Sequence, residues 1–213
     1  MEYLHYTVFK NQNLIYNINV ATEIELKAHV VNYDKIKRLL FINAEYLGAF
    51  EKYDTYWYPE GGACPGLPPS GLRVRKENRT FPDGIERVAY LVTYKTKERK
   101  NEIEINEEKE FEATSLRGLT APVFEEFLKL MGLKPGNSKK KNGMAFFWEG
   151  INAELSDVEG LGWFIELEIV SEDYTEENYE KERNRLLHIL ELLGIEKEAI
   201  ENRFYSEMLS TEQ

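Results

Sequence analysis

The chain of 213 residues is long enough for one folded domain that buries a substantial core. Hydrophobic residues at 42% and aromatic residues at 13% exclude a disordered composition and favour many short strands. A formal net charge of −11 disfavours binding to nucleic acid or to an anionic membrane, so an anionic ligand would need a local basic pocket.

The cysteine content and the hydropathy of the chain bear on its compartment. Cys64 is the one cysteine and cannot form an internal disulfide, so nothing requires an oxidising environment. No run approaches the roughly 20 apolar residues that span a bilayer. Residues 1–20 lack the basic start and apolar core of a signal peptide. We therefore predict a cytoplasmic protein without a membrane segment.

The first clear element is a strand over 22–28, after an N-terminal stretch, 1–20, that we interpret as an extension or an edge strand. The strand alternates strictly between two faces of different chemistry. Its apolar face carries Ile24, Leu26 and Ala28, and its charged face carries Glu23, Glu25 and Lys27. A helix over 33–43 follows, with Asn32 as its N-cap.

The rest of the chain contains further strands and helices and one long irregular loop. Beta-type residues and alternation predict strands over 46–58, 72–76, 87–96, 102–112, 138–148, 151–156 and 163–170, with an interruption near Asn106. Apolar residues at helical spacing predict helices over 121–131, 175–193 and 195–209. The density of Gly and Pro predicts that 59–71 is irregular, and such loops often form lids or binding edges.

Several predicted strands share a charged face opposite an apolar face. For any single strand, a solvent-exposed face of an antiparallel sheet explains this pattern. Taken together, the amphipathic helices must cover the apolar faces, which places the charged faces on the opposite side of the sheet. If the sheet closes, these charges line an interior that must hold water, metal or a charged ligand, because unpaired buried charge is costly.

Acidic and cationic side chains in such an interior would favour a particular pair of ligands. Carboxylates attract Mg²⁺ or Mn²⁺, which prefer hard oxygen ligands. Lys and Arg side chains neutralise phosphate oxygens. A divalent metal together with a triphosphate would therefore satisfy both sets of charges.

Five motifs in a fixed order give the chain a resemblance to a known family. They are Glu23-Ile24-Glu25-Leu26-Lys27, Asp54-Thr55-Tyr56-Trp57, Leu72-Arg73-Val74-Arg75, Thr93-Tyr94-Lys95 and Gly160-Leu161-Gly162-Trp163-Phe164-Ile165-Glu166-Leu167-Glu168. The first matches the ExExK signature of the CYTH superfamily, which unites class IV adenylyl cyclases, thiamine triphosphatases and inorganic tripolyphosphatases. The Asp-Thr-Tyr and Gly-Leu-Gly elements look most like the class IV cyclase branch.

The resemblance implies a fold and a set of site residues. The fold is α+β, an antiparallel, closed or nearly closed eight-stranded β-barrel (a triphosphate tunnel) with helices packed outside, as a single domain over 21–209. The implied cofactor is Mg²⁺ or Mn²⁺, bound by Glu23, Glu25, Glu166 and Glu168. The implied phosphate ligands are Lys27, Arg73, Arg75 and Lys95, and we also consider Lys27 a candidate catalytic residue.

Two positions depart from the family pattern. Where the family commonly has a Lys-x-Arg strand, the chain has Lys139-Lys140-Lys141, which keeps the charge but loses the planar guanidinium fork. A solvated turn explains this cluster equally well, and we keep Lys139 and Lys141 as candidate phosphate ligands. Ser156 stands where cyclases usually have Asp, so Glu154, two residues earlier on the same strand face, is our candidate catalytic base.

The resemblance implies a metal-dependent enzyme that converts ATP to cyclic AMP and pyrophosphate. Two alternatives stay open, a hydrolase of tripolyphosphate, thiamine triphosphate or a nucleoside triphosphate, and a non-catalytic module that binds a nucleotide or polyphosphate. In each case the expected partner is a triphosphate-containing small molecule, ATP or polyphosphate, with no nucleic acid and no membrane. The resemblance also implies a homodimer.

Overall fold

The computed structural model describes residues 21–59, 71–112, 121–171 and 175–210. Its strands are β1 (Ala21–His29), β2 (Glu45–Pro59), β3 (Gly71–Thr80), β4 (Glu86–Lys100), β5 (Ile103–Glu112), β6 (Leu133–Trp148), β7 (Ile151–Val158) and β8 (Gly162–Ser171). They form a closed antiparallel barrel in the order β1-β5-β4-β3-β2-β6-β7-β8. The predicted eight-stranded α+β barrel is therefore confirmed. The predictions for 1–20 and for Cys64 in the irregular loop lie outside the described residues.

Strand β1 shows how the sequence pattern produces the closed sheet. Its apolar residues Ile24 and Leu26 are fully buried in the main hydrophobic core, outside the barrel, while Glu25 lines the interior. Ile24 pairs with Ile105 of β5 on one side and with Ile169 of β8 on the other. Because β1 has a partner on both sides, the sheet has no exposed edge at this point.

In the described residues, four α-helices lie outside the strands: α1 (Tyr33–Asn43), α2 (Ala121–Leu130), α3 (Glu176–Leu192) and α4 (Tyr205–Ser210). Helices α1 and α3 bury Leu40 and Leu186 in the main core. The predicted cap is present, since the Asn32 side chain accepts a hydrogen bond from the backbone N–H of Lys35 at 3.0 Å. None of the helices within the described ranges is long and apolar enough to cross a membrane.

Helices α2 and α4 have separate positions. Leu128 of α2 packs with Trp57 and Val74 in a smaller cluster on the other side of the barrel. Helix α4 covers the barrel end where β1 ends and β8 begins, which we call the α4 end. There the Tyr205 ring contacts the Phe164 ring edge-on, with centroids 5.3 Å apart. We call the opposite barrel end, where β1 and β2 begin, the far end.

The structure corrects two details of the secondary-structure prediction. Strand β5 runs without interruption through Asn106, which pairs with Glu23 of β1. The predicted continuous helix over 195–209 is wrong, because a 3₁₀ turn (Lys197–Ala199) is followed by extended chain before α4. In that stretch Ile200 bridges to Ala28, and the N–H of Glu201 donates to the carbonyl of Lys27 at 2.8 Å. This pairing with the end of β1 replaces the helical hydrogen bonds.

Candidate functional site

A cavity of about 720 Å³ lies inside the barrel, a size suited to a small organic ligand. Ten carboxylates and eight cationic side chains of the described residues line it. The carboxylates are those of Glu23, Glu25, Glu77, Glu104, Glu108, Glu110, Glu112, Glu154, Glu166 and Glu168, and the cations are those of Lys52, Arg73, Arg75, Arg79, Arg87, Lys95, Lys139 and Lys141. Charges from separate strands therefore meet around one shared interior, as the sequence predicted.

The two signs of charge are segregated around the barrel. Three adjacent strands, β8, β1 and β5, carry eight of the ten lining carboxylates and none of the lining cations, and we call them the acidic wall. Another adjacent set, β3, β2 and β6, carries six of the eight lining cations, and we call it the basic wall. Divalent metal and phosphate would thus each find complementary charge on opposite sides of the same cavity.

On the acidic wall, four carboxylates surround one ammonium group. Lys95 Nζ lies 2.5 Å from Glu108 Oε1, 3.1 Å from Glu23 Oε2 and 3.8 Å from Glu25 Oε2. Glu168 is the cross-strand partner of Glu25 in the β1–β8 ladder. A single ammonium group therefore pairs with several carboxylates in a site largely shielded from water.

The pKa values of two carboxyl groups around Lys95 are raised by burial and by repulsion between carboxylates. Burial, and then repulsion from Glu168, raise the pKa of Glu23 well above its usual value. Burial, and then repulsion from Glu25, raise the pKa of Glu168 to about 7. Burial alone would lower the pKa of Lys95, but Glu23 and Glu108 raise it well above normal. The group as a whole has a deficit of positive charge.

The acidic wall has the donor chemistry of a hard divalent cation. Carboxylate oxygens and amide groups are the ligands that Mg²⁺ and Mn²⁺ accept. Two of these carboxylates accept hydrogen bonds from side-chain amides: Asn106 donates to Glu25 at 3.1 Å, and Asn152 donates to Glu168 at 3.2 Å. In the described ranges no three His, Cys, Asp or Glu side chains are already clustered as a metal site. A cation bound to Glu23 and Glu25 would compete with the Lys95 ammonium group.

On the basic wall, Arg75 and Lys139 share the buried carboxylate of Asp54. Arg75 donates from Nε and Nη2 to the two Asp54 oxygens at 2.6 and 2.9 Å, and Lys139 Nζ lies 3.3 Å from Oδ2. Burial alone would raise the pKa of Asp54, but Arg75 and Lys139 lower it well below its usual value. Burial is the largest effect on Lys139, and it lowers the pKa of that ammonium. The interior location of Lys139 contradicts the solvated-turn interpretation of the lysine cluster.

Glu154 and Glu166 join the two walls through Lys141. Lys141 Nζ lies 2.8 Å from Glu154 and 2.7 Å from Glu166, and Lys52 also donates to Glu154. Burial would raise the pKa of Glu154, but Lys141 and Lys52 lower it well below normal. Burial would likewise raise the pKa of Glu166, which Lys141 instead lowers to about 2. Glu166 is therefore ion-paired with Lys141, whereas the other predicted metal ligands, Glu23, Glu25 and Glu168, belong to the group around Lys95.

Two further predicted phosphate ligands differ in their access to the cavity. Arg73 lines it and donates from Nη2 to the Thr93 hydroxyl at 2.9 Å and to Glu110 at 3.3 Å. Lys27 is only 2% exposed and does not line the cavity; its Nζ donates to Glu104 at 2.8 Å. Lys27 therefore lies behind Glu104, a carboxylate that does line the cavity.

Sequence reasoning missed part of this network. The residues to which it assigned no site role include Lys52, Glu77, Arg79, Glu104, Glu108, Asn152 and Tyr205, and also Asp54, which stands in one of the five motifs. The i, i+2 spacing of Lys52 and Asp54 was an available signal, as was the continuation of Arg73 and Arg75 to Glu77 and Arg79. Tyr205 lies on α4, far away in sequence, and donates from its hydroxyl to Glu166 Oε1 at 2.6 Å.

Comparison with known protein families shows to which family the chain belongs. The model of the CYTH domain matches residues 21–205, which is most of the sequence. The chain belongs to the CYTH family. No curated protein matches it. The barrel with an ionic interior described above is therefore the CYTH domain of this chain.

Solved structures share this CYTH fold over nearly their whole length. The PH1819 protein of Pyrococcus horikoshii is 25% identical, with a TM-score of 0.75 over 90% of this chain and 99% of that chain. A candidate adenylate cyclase of Vibrio parahaemolyticus is 22% identical, with a TM-score of 0.71 over 90% and 99% of the two chains. A candidate adenylyl cyclase of Hippeastrum, with a dominant triphosphatase activity, is 15% identical, with a TM-score of 0.61 over 91% and 96%. The similarity to the last two proteins shows a shared fold only.

Proposed function

We propose that this CYTH protein is a metal-dependent enzyme that binds a triphosphate inside the barrel and cleaves one of its P–O–P bonds. The observation that carries the proposal is the pairing of an acidic wall with a basic wall around one cavity. Phosphate oxygens would contact Arg73, Arg75, Lys139 and Lys141 on the basic wall. Mg²⁺ or Mn²⁺ would bind Glu23, Glu25 and Glu168 on the acidic wall.

The charge of the lining supports the need for a metal. Ten carboxylates face eight cations, so the cavity is not positive overall when all of these groups are ionised. A triphosphate brings several further negative charges into a site where few of them would be screened by water. Divalent cations compensate this excess when bound, and they also polarise the phosphoryl groups that react.

The cyclase reaction is the first activity that we propose. The ribose 3′-oxygen of ATP forms a bond to the α-phosphorus, the bond from the α-phosphorus to the α,β-bridging oxygen breaks, and pyrophosphate leaves with that oxygen. The basic wall would hold the pyrophosphate as its negative charge increases. The proton of the 3′-hydroxyl must pass to a base, and Glu154 is our candidate.

Glu154 is a weak base in the ligand-free state, because Lys52 and Lys141 both hold its carboxylate. Substrate phosphates would compete for the same two ammonium groups. Drawing Lys52 and Lys141 towards phosphate would remove the interactions that lower the Glu154 pKa. Binding of the triphosphate would thereby make Glu154 more basic at the time it is needed.

Hydrolysis of the triphosphate is the second candidate activity. It would use the same basic wall, and Glu154 could accept a proton from water in place of the ribose proton. The Hippeastrum protein of the same fold has a dominant triphosphatase activity. In this reaction water attacks the terminal phosphorus, the bond to the β,γ-bridging oxygen breaks, and orthophosphate is released.

A panel of ATP, thiamine triphosphate and inorganic tripolyphosphate with Mn²⁺ or Mg²⁺, scored for every product, tests both activities. Cyclic AMP with pyrophosphate supports the cyclase, and orthophosphate supports the hydrolase. Glu25→Gln should abolish turnover, whereas Glu51→Gln, on the exposed side of β2, should not. Metal-dependent ATP binding without any product would contradict an enzyme and leave a binding module. Failure to bind any of the three would refute the proposal.

A further inference from the structure

Asn106 of β5 faces the barrel interior and lies between two inward-facing carboxylates. Its neighbours Ile103 and Ile105 belong to the main hydrophobic core outside the barrel, whereas Glu104 and Glu108 line the cavity. Because side chains alternate along an unbroken strand, the Asn106 side chain also turns inward. Asn106 is fully buried, so bulk water does not reach its amide group.

The two polar atoms of the Asn106 amide differ in their contacts. Its Nδ2 donates to Glu25 Oε2 at 3.1 Å, whereas its Oδ1 has no hydrogen-bond partner among the described residues. The opposite orientation of the amide would bring Oδ1 against a carboxylate oxygen, and neither atom could donate a proton. The contact with Glu25 thus fixes the amide and leaves one buried oxygen acceptor unused. Since buried acceptors nearly always have a partner, this oxygen calls for a partner from outside the chain.

Asn106 is next to both carboxylates of the first predicted metal pair. In the β1–β5 ladder it is the direct cross-strand partner of Glu23, and the Cβ atoms of directly opposed residues lie about 4.5–5.5 Å apart. Its amide contacts Glu25 through the hydrogen bond described above. Three oxygen-bearing side chains from two adjacent strands therefore meet at one point of the acidic wall.

A neutral oxygen suits this position better than a further carboxylate. The carboxylates of Glu23, Glu25, Glu108 and Glu168 already surround the Lys95 ammonium group. Another carboxylate in the same group would add repulsion in the metal-free protein. An amide oxygen is a hard ligand for Mg²⁺ or Mn²⁺ and adds no charge.

We propose that the Oδ1 atom of Asn106 is a ligand of the divalent cation, together with the carboxylates of Glu23 and Glu25. This inference rests on the proposed function and adds a residue to its metal site. Asn106 would hold the Glu25 carboxylate through Nδ2 and contact the ion through Oδ1. One side chain would therefore orient one ligand and supply another.

Calorimetric titration with Mn²⁺ alone, without a triphosphate, tests the proposal. Asn106→Leu keeps the size of the side chain but removes the oxygen, so it should weaken Mn²⁺ binding about 10- to 100-fold. Asn106→Asp keeps an oxygen in place and adds a negative charge, so it should bind Mn²⁺ at least as tightly as wild type.

Ser156→Ala is the matched control for these variants. Ser156 is as fully buried as Asn106, and its hydroxyl also lacks a partner among the described residues. Its cross-strand partners are Gly143 and Phe164, away from the carboxylates around Lys95. Loss of this hydroxyl should leave the affinity for Mn²⁺ unchanged.

A change of ligand atom distinguishes direct contact with the ion from an indirect effect on folding. A thiolate is a soft ligand and prefers the soft ion Cd²⁺ to Mn²⁺. Asn106→Cys should therefore gain affinity for Cd²⁺ relative to Mn²⁺ and show the ultraviolet charge-transfer band of a cadmium–thiolate bond. The reference is wild type, which carries Cys64, and Ser156→Cys should match that reference.

Three results would overturn the inference. The first is wild-type affinity for Mn²⁺ in Asn106→Leu. The second is an equal loss in Asn106→Leu and Asn106→Asp, which would assign the effect to the N–H group that holds Glu25. The third is the absence of the cadmium–thiolate band in folded Asn106→Cys.

Circular dichroism establishes that each variant is folded. If Asn106→Leu does not fold, Asn106→Asp and Asn106→Cys decide the question against wild type. If wild type itself binds no Mn²⁺, the proposed metal-dependent function fails. Normal binding by wild type with unchanged binding by Asn106→Leu refutes only the assignment of Asn106.

Discussion

Arg75 binds Asp54, its direct cross-strand neighbour, through two parallel hydrogen bonds of 2.6 and 2.9 Å in the closed interior of the barrel. Both side chains are buried, and Asp54 is 1% exposed. The pair fixes the guanidinium of Arg75 on the basic wall, so it sets the geometry of the proposed phosphate site as well as the stability of the barrel.

Asp54→Asn should destabilise the protein by about 3–5 kcal/mol, because it leaves the buried Arg75 guanidinium without a charge partner. Urea unfolding followed by circular dichroism measures the change. Asp157→Asn is the control, since Asp157 on β7 makes no ion pair with any described residue and should unfold close to wild type. Equal stability of Asp54→Asn and wild type would contradict the importance of this pair.

The contribution of Asp54 to stability should depend on pH in one direction. The folded protein holds the pKa of Asp54 well below the value of 3.8 of the free side chain. Its stabilising contribution is therefore complete above pH 3.8 and is lost as pH falls through the folded pKa. The difference in unfolding free energy between wild type and Asp54→Asn should be constant above about pH 5 and shrink below pH 3.8. A constant difference down to pH 2 would contradict the assigned pKa shift.

Tyr205→Phe should destabilise the protein by about 1.5–3 kcal/mol, because Tyr205 donates a 2.6 Å hydrogen bond to the ionised Glu166. The variant should also detach α4, which limited proteolysis near the C-terminus would detect. Tyr53→Phe, which loses a 3.3 Å contact to Glu51 on the outer surface, serves as the control and should change little. Identical behaviour of the two variants would argue against an anchoring role for Tyr205.

Gly48→Ala should destabilise the protein more than Gly84→Ala. Both residues have positive φ values, +122° and +84°, so both variants carry a backbone penalty of about 1–2 kcal/mol. A methyl group at Gly48 meets the carbonyl of Thr80, whereas nothing lies within 4 Å of one at Gly84. Thermal unfolding of the two variants isolates the steric part. Equal losses would show that β2 can move away from Thr80 without cost.

Mn²⁺ should stabilise the protein through the acidic wall. Mn²⁺ that binds the folded state and not the unfolded state adds about 2.7 kcal/mol to the free energy of unfolding at a concentration 100 times the Kd. Unfolding scans with increasing Mn²⁺ would measure this increase. Glu25→Gln should lose most of the shift, while the exposed Glu51→Gln should keep it. An undiminished shift in Glu25→Gln would place the metal elsewhere.

The sequence predicted the barrel and about half of its lining, for reasons visible in particular strands. On β1 and β8 the outer face is buried under helices, so apolar residues alternate with Glu23, Glu25, Glu166 and Glu168. On β2 the outer positions around Tyr53 are exposed, so no apolar alternation marks Lys52 and Asp54 as inward residues. The prediction failed there because the signal depends on what covers the outer face.

Contacts between segments that are far apart in the sequence also could not be predicted from a pattern along the chain. Tyr205 reaches Glu166 across 39 residues, and Lys52 reaches Glu154 across 102. The extended stretch before α4 was likewise predicted as helix, because its pairing with Ala28 depends on the closed barrel. Such features depend on the assembled fold and not on local propensity.

Helix α4, which places Phe204, Tyr205 and Ser206 in the cavity wall, has a consequence for kinetics. A ligand in the cavity would contact these residues and hold α4 against the barrel. Amide hydrogen exchange in α4 should therefore be slower with bound ligand than without it, and equal exchange rates would argue against such a contact.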